Sequence, residues 1–444
     1  MKKIFLYMSL LFVSGTALVS CNKYLDIKPV GTVVPETADD FRGLLTSGYL
    51  GFPAHKSYLN LRTDELQLDE YSTDMSSLKD IFLWNDLNPD PATFAYPYIT
   101  FYKSIFYANQ VLETIDKKLA SNGDVNQLKA EAYLMRAYAH FELLNMYAET
   151  YTPANAAQRG IALSTKIDLE QRFIPVTIEE VYKQIFADID QADRLMQVQD
   201  QDSKVKYRFS KRALYAFQAR VFLYRSEWQK SLDAADKALA INSNLEDLNQ
   251  ADAFMPSDFQ SKEMILSLDK VALPVTTTST FISQNLLNSY DKVNDLRFAK
   301  YFQKKGGDYV SLKGGDNRYN VSFRNGDLYL MEAEAYSRLG HKDQALAKLN
   351  ALLKNRLTPA YFQTQSAAYA GLDNAQLLNV ILAERKRELA LEGLTWYDLK
   401  RTTRPTITHR FFDKDFVLQQ NDPRYVIRFP KAALENNPDL NATN

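Results

Sequence analysis

The sequence is short of most residues from which catalytic and metal sites are built. Cysteine occurs once in 444 residues and histidine only four times. An internal disulfide and a cysteine-rich metal site are therefore excluded. Glycine and proline number 15 each, which rules out collagen-like and low-complexity classes. Charge of either sign is not in surplus, with 53 Lys and Arg against 54 Asp and Glu. Nucleic acid is thus not an expected partner, because no basic excess exists to neutralise phosphates. Beyond residue 20 no run reaches the eighteen or so apolar residues that a membrane span requires. His55, His140, His341 and His409 lack HExxH spacing, and no GxSxG, Walker or dinucleotide fingerprint is present. No cofactor and no metal are expected. What the chain has in quantity is apolar surface: 46% hydrophobic residues, with 27 Tyr, 25 Phe and 3 Trp, enough to bury a large core.

The single cysteine has an informative position. Lys2 and Lys3 precede an uncharged, largely apolar run from Ile4 to Val19, the layout of a secretory leader spanning residues 1–20. The run ends in Leu18-Val19-Ser20-Cys21, which resembles a bacterial lipobox. Cys21 is accordingly the expected lipidation site, and two or more acyl chains anchor a protein stably to a membrane. The body is then expected to be tethered to the membrane without spanning it.

The remainder, residues 21–444, reads as one mostly helical domain. Apolar residues recur at three- and four-residue spacing from Tyr98, through Phe101, Ile105, Ala108, Leu112 and Ile115. Thr177 followed by Glu180 forms a capping box for another helix. The segment Tyr224–Leu232 and the segment from Leu339 to Leu346 share a tetratricopeptide-like hairpin pattern, with Ser226 aligned to Gly340 and Ser231 to Ala345. The expected architecture is a tetratricopeptide-like scaffold of helical hairpins over about 98–242 and 323–401. Loop-rich elaborations fill about 50–97, 243–322 and 402–444. The inserted region 243–322 carries short strands and is the expected ligand-binding part.

Several motifs resemble those of the SusD/RagB family of outer-membrane lipoproteins. Cys21-Asn22-Lys23-Tyr24-Leu25-Asp26 is similar to its N-terminus, and Ala130-Glu131 with Arg136-Ala137 to its "AE..flRA". Asp295-Leu296-Arg297 resembles "DpR". Ala383-Glu384-Arg385, Arg387-Glu388-Leu389, Glu392-Gly393 and Asp398-Leu399 resemble the signature "ER..EL..EG.R..DL.R". The resemblance implies a surface lipoprotein of the outer membrane without enzymatic activity. It would bind a nutrient, most often a glycan, and pass it to a SusC-type TonB-dependent transporter. A peptide-binding protein on the same fold is the alternative. An exported glycoside hydrolase would instead need two carboxylates facing each other across a cleft.

Candidate ligand contacts lie in the loop-rich segments. Trp84 sits among prolines beside Asn85 and Asp86, where an indole face with adjacent amides suits sugar recognition; the other reading is a loop anchor. Tyr71, Phe281, Tyr290, Tyr309, Asn317 and Tyr319 are the further candidates. Trp228 and Trp396 read as packing residues. Glu384, Glu388 and Glu392 share one face at i, i+4 and i+8, beside Arg385 and Arg387. Metal or acid–base chemistry is conceivable there, but an ion-pair network is the expectation.

Overall fold

A computed structural model describes residues 35–441, apart from 169 and 315–316. Cys21 and the leader lie outside the described residues. Helices dominate, and they pair as hairpins. Ile99–Lys118 packs on Gly123–Tyr147, which also packs on Ile178–Leu195. Gly123–Tyr147 is buried around almost its whole circumference, as a helix covered on several sides must be. Its alanines at 130, 132, 137 and 139 are fully buried and permit close approach. The capping box at Thr177 forms as the sequence suggests, and equivalent boxes start helices at Thr37 and Asp373.

The two tetratricopeptide-like copies are Lys211–Tyr224 with Trp228–Ile241, and Asn325–Arg338 with Lys342–Leu353. Their turns share a backbone state, since Ser226 has φ 61° and Gly340 φ 83°. That left-handed state favours glycine, and the serine adopts it because the hairpin turn demands it. Helix Asn325–Arg338 packs on both Trp228–Ile241 and Asn374–Glu388. The copies are thus neighbours in space although the insert separates them in sequence. The insert can be accommodated because its ends meet: strand Met264–Leu266 pairs with Phe323–Arg324. One main hydrophobic cluster runs from Phe41 to Leu440, with a smaller one around the second repeat.

Some boundaries differ from the sequence expectation. Residues 50–97 are more ordered than their prolines suggest, with helices His55–Leu61 and Met75–Phe82 and strand Leu66–Leu68. The threonine run 276–280 divides between a short helix, Pro274–Thr278, and strand Thr280–Ile282. The signature helix ends at Glu388. Leu391 and Gly393 then take φ 63° and 72° and turn the chain. A Cβ on Gly393 would stand 2.7 Å from the Lys56 Cα, so only glycine fits this signature position.

The scaffold also buries an acid between its helices. Glu332 is fully buried between the repeats, and burial pushes its carboxyl up to about 8 although the Lys348 Nζ is 2.6 Å away. Between the ordinary carboxylate range and pH 8 the unfolded chain is ionised there while the folded chain keeps the proton. Stability should therefore fall as pH rises through this window. Glu332→Gln is expected to gain about 2–4 kcal/mol over wild type at pH 8.5 and almost nothing at pH 4.5. Urea midpoints at the two pH values check this; an equal gain at both would refute the assignment.

Candidate functional site: an exposed aromatic platform

Two small antiparallel units come together at one surface. Strand Leu66–Leu68 pairs with Thr280–Ile282, placing Gln67 opposite Phe281. Leu66, Leu68, Thr280 and Ile282 are buried, so the alternation of side chains puts Gln67 and Phe281 on the outer face. The second unit is the hairpin Ile407–Phe411 with Lys414–Leu418. Gln67 Nε2 donates to the Arg410 carbonyl at 2.9 Å, and Phe412 N donates to Glu70 Oε1 at 2.6 Å. The hairpin is therefore tied to the segment that carries Tyr71.

The tip of that hairpin is unusual. Its loop has two residues, Phe412 and Asp413, with φ of 43° and 60°. Two positive φ angles define the turn that asparagine and glycine normally supply. A phenylalanine there carries strain of about 1–3 kcal/mol. The strained residue presents its ring outward: Phe412 is 46% exposed and Tyr71 87% exposed. The two rings meet edge to face at 6.0 Å. The result is an aromatic surface edged by polar groups, including Gln67, Glu70 and the exposed Arg410 guanidinium, which pairs with Asp413 and Asp415.

The seven residues proposed from sequence distribute unevenly. Tyr71 and Phe281 belong to this surface. Trp84 does not. Its indole is 1% exposed, stacks on His409 at 4.2 Å and donates from Nε1 to the Arg62 carbonyl at 2.9 Å. A cavity of about 370 Å³ touches it together with Asn85, Asp86 and Arg428, but the packed ring offers no face for stacking a sugar. Tyr290 is also buried, and its hydroxyl donates to the Arg387 carbonyl at 2.7 Å. Tyr309 and Tyr319 are half-buried against the main core. Asn317 is exposed and lines a separate cavity of about 500 Å³ with Tyr49, Tyr207 and Phe259. Tyr49 is committed there to structure, donating to Glu131 and accepting from Phe209 N.

Phe412 was not legible as a site residue, because Phe411-Phe412-Asp413-Lys414 reads as part of a strand. No sequence signal marks it, because the alternation of Ile407, His409 and Phe411 with Thr408 and Arg410 runs straight into it. His409 supports the platform from below. Its ring is stacked against Phe82 at 4.0 Å and Trp84 on its two sides, and burial pushes it down to about 4. It is therefore neutral at ordinary pH.

Glu384, Glu388 and Glu392 do not converge on a vacant site. They meet Arg297, Arg324, Arg356, Arg387 and Lys313 in a buried network with Glu263 and Asp295. Among the described residues, no group of three or more His, Cys, Asp or Glu is placed to hold a metal ion. No helix among them is long and apolar enough to cross a membrane.

A family model described as "SusD family" matches residues 187–439. The chain belongs to the SusD family. A second SusD-like model, described as "Starch-binding associating with outer membrane", matches residues 23–223. SusD-like protein P38 of Formosa agariphila is 24% identical, over 89% of this chain and 90% of the relative. Among solved structures, a SusD superfamily protein from Bacteroides thetaiotaomicron superposes with a TM-score of 0.74 at 21% identity, covering 91% and 98% of the two chains. A laminarin-binding SusD-like protein superposes with a TM-score of 0.60 at 20% identity, covering 82% and 91%. SusD-family architecture is thus shared along nearly the whole described chain.

Proposed function

We propose that this SusD-family protein is a non-enzymatic surface receptor that binds a glycan on the platform of Tyr71, Phe412 and Phe281. It then hands the glycan to a SusC-type TonB-dependent transporter, held at the outer face of the outer membrane by lipid on Cys21. The observation that carries the binding site is Phe412. A bulky residue in a turn suited to asparagine costs folding energy, and strain of this kind collects at ligand clamps. An aromatic ring covers the C–H face of a sugar, while Gln67, Glu70 and Arg410 at its edge suit hydroxyl groups. The family description and the laminarin-binding neighbour support glycan over peptide as the ligand class.

Laminarin and starch oligosaccharides are the first probes, measured by calorimetry. Tyr71→Ala and Phe412→Asn are each expected to weaken binding about 5- to 30-fold, the loss of about 1–2 kcal/mol of ring burial. Phe412→Asn suits the turn better than phenylalanine and should leave the urea midpoint unchanged or raised. Unaltered affinity in the double variant would remove the platform from the mechanism. Hydrolysis of any probe would move the protein into the enzyme class.

A further inference from the structure

A third cavity opens on the helical scaffold. It has a volume of about 560 Å³ and lies between the turn of the first repeat, the segment after Tyr147, helix Asn374–Glu388 and the chain beyond Thr395. Four basic side chains line it, Arg338, Lys400, Arg401 and Arg404, against one carboxylate, Glu149, which pairs with Arg404. The acids that pair with Arg338 and Arg401 stand behind the wall: Glu334 is fully buried and pairs with both, and Asp398 pairs with Arg401 at 2.7 Å. Lys400 is 4% exposed and donates to the carbonyls of Asn145 and Ala148, and among the described residues no carboxylate stands in ion-pair distance of it. The Tyr224 hydroxyl, which also lines the cavity, is buried without a hydrogen-bond partner among the described residues.

The rest of the wall has the chemistry of a sugar site. Trp228 is half-buried, and the Arg338 guanidinium lies 5.2 Å from its ring centre. Asn379, Thr403 and Asn421 are exposed at the rim. The backbone is strained here as well, since Arg404 and Asn421 have φ of 40° and 59° and are joined by the Asn421 N–H to the Arg404 carbonyl at 3.0 Å. Ser226 shares the left-handed state, but its hairpin turn accounts for it. The Arg404 side chain donates from Nε to the Lys400 carbonyl at 3.0 Å and pairs with Glu149, so it closes one edge of the cavity.

We infer that this cavity is a second ligand site, which takes a sugar unit carrying an anionic group, a carboxylate or a sulfate ester. The cations would hold the anion and the Trp228 ring would pack on the sugar. The rim amides and the threonine hydroxyl would meet its hydroxyls. The platform lacks such a cationic wall, so the two sites differ in the ligand they select.

Tryptophan fluorescence separates them, because Trp84 and Trp396 are fully buried and Trp228 is the partly accessible one of the three. Trigalacturonate, a sulfated carrageenan tetrasaccharide and neutral maltotriose are titrated into the whole protein at low ionic strength. At least one anionic probe should shift the emission saturably, bind at least tenfold more tightly than maltotriose and weaken as salt is added. Whichever anionic probe does so identifies the group as carboxylate or sulfate. Trp228→Phe should abolish the shift. Arg338→Gln with Arg404→Asn should weaken binding at least tenfold. Asn421→Asp, an exposed change that adds one negative charge at the rim, should do the same without the risk of misfolding. The Tyr71→Ala, Phe412→Asn double variant, which tests the platform, should keep the full response to the anionic probe. Equal response to maltotriose, no saturable response to either anionic probe, or affinity unchanged in Asn421→Asp would each overturn the assignment while leaving the platform untouched.

Discussion

Replacing Glu388 with alanine is expected to destabilise the protein by about 3–5 kcal/mol, the usual result of removing one partner from a buried ion pair. Glu388 is fully buried and accepts from three arginines: Arg297 Nη1 at 2.9 Å, Arg324 Nη1 at 2.6 Å and Arg356 Nη2 at 2.8 Å. All three guanidiniums are themselves fully buried. Burial alone would push the Glu388 carboxyl up, but Arg356, Arg324 and Arg297 outweigh it and hold it well below the usual carboxylate range. Its contribution is therefore fully present at neutral pH and is lost progressively as pH falls from the ordinary carboxylate range down to that depressed value. Alanine leaves three cations sharing the remaining acids and opens a cavity besides. Glu388→Gln restores the volume and hydrogen-bonding atoms but not the charge, so it should recover part of the loss. Urea unfolding at pH 5.5 and pH 7.5 checks this. A cost under about 1 kcal/mol at both would show that the network is solvated and weak.

The same network shows what was legible in the sequence. Glu384, Glu388 and Glu392 were readable as one charged face, and the bland reading of that face is the one the structure displays. Their partners were not legible. Arg297 lies 87 residues from Glu384 and bonds to it directly, and Arg324 reaches Glu392 across 68 residues. Periodicity reports only neighbours on one element, so it identifies a face and leaves its partners unknown. The repeats were legible for the corresponding reason. Ser226 and Gly340 mark turns, and turn chemistry is local. The platform was legible only in part. Tyr71 and Phe281 stood out as aromatics in segments with few helical signals. Phe412 did not, because its significance is a backbone angle that no neighbouring residue announces.

Of the two readings of Trp84, ligand contact and loop anchor, the fold supports the anchor, and its replacement should separate the two. Helix Met75–Phe82 ends at Leu83, and Trp84 follows with φ 54°, the left-handed position that glycine usually takes after a helix. Proline punctuation and adjacent Asn and Asp made this segment look like an open loop. In the fold the left-handed turn directs the indole inward, onto His409 and the Arg62 carbonyl, and Arg62 in turn pairs with Asp86 at 2.8 Å. Trp84→Ala is expected to cost about 3–5 kcal/mol, as for other large core truncations. Trp84→Phe keeps a ring against His409 while losing the Nε1 bond, and should cost about 1–2 kcal/mol. Affinity for the platform's glycan should stay within about twofold in Trp84→Phe, because a shift that small is under 0.5 kcal/mol. The contrast with Tyr71→Ala is the test: one substitution moves the urea midpoint and not the calorimetric affinity, the other the reverse. A Trp84→Phe protein of undiminished stability that has lost glycan binding would return Trp84 to the site and make its burial in the free protein a state that ligand opens.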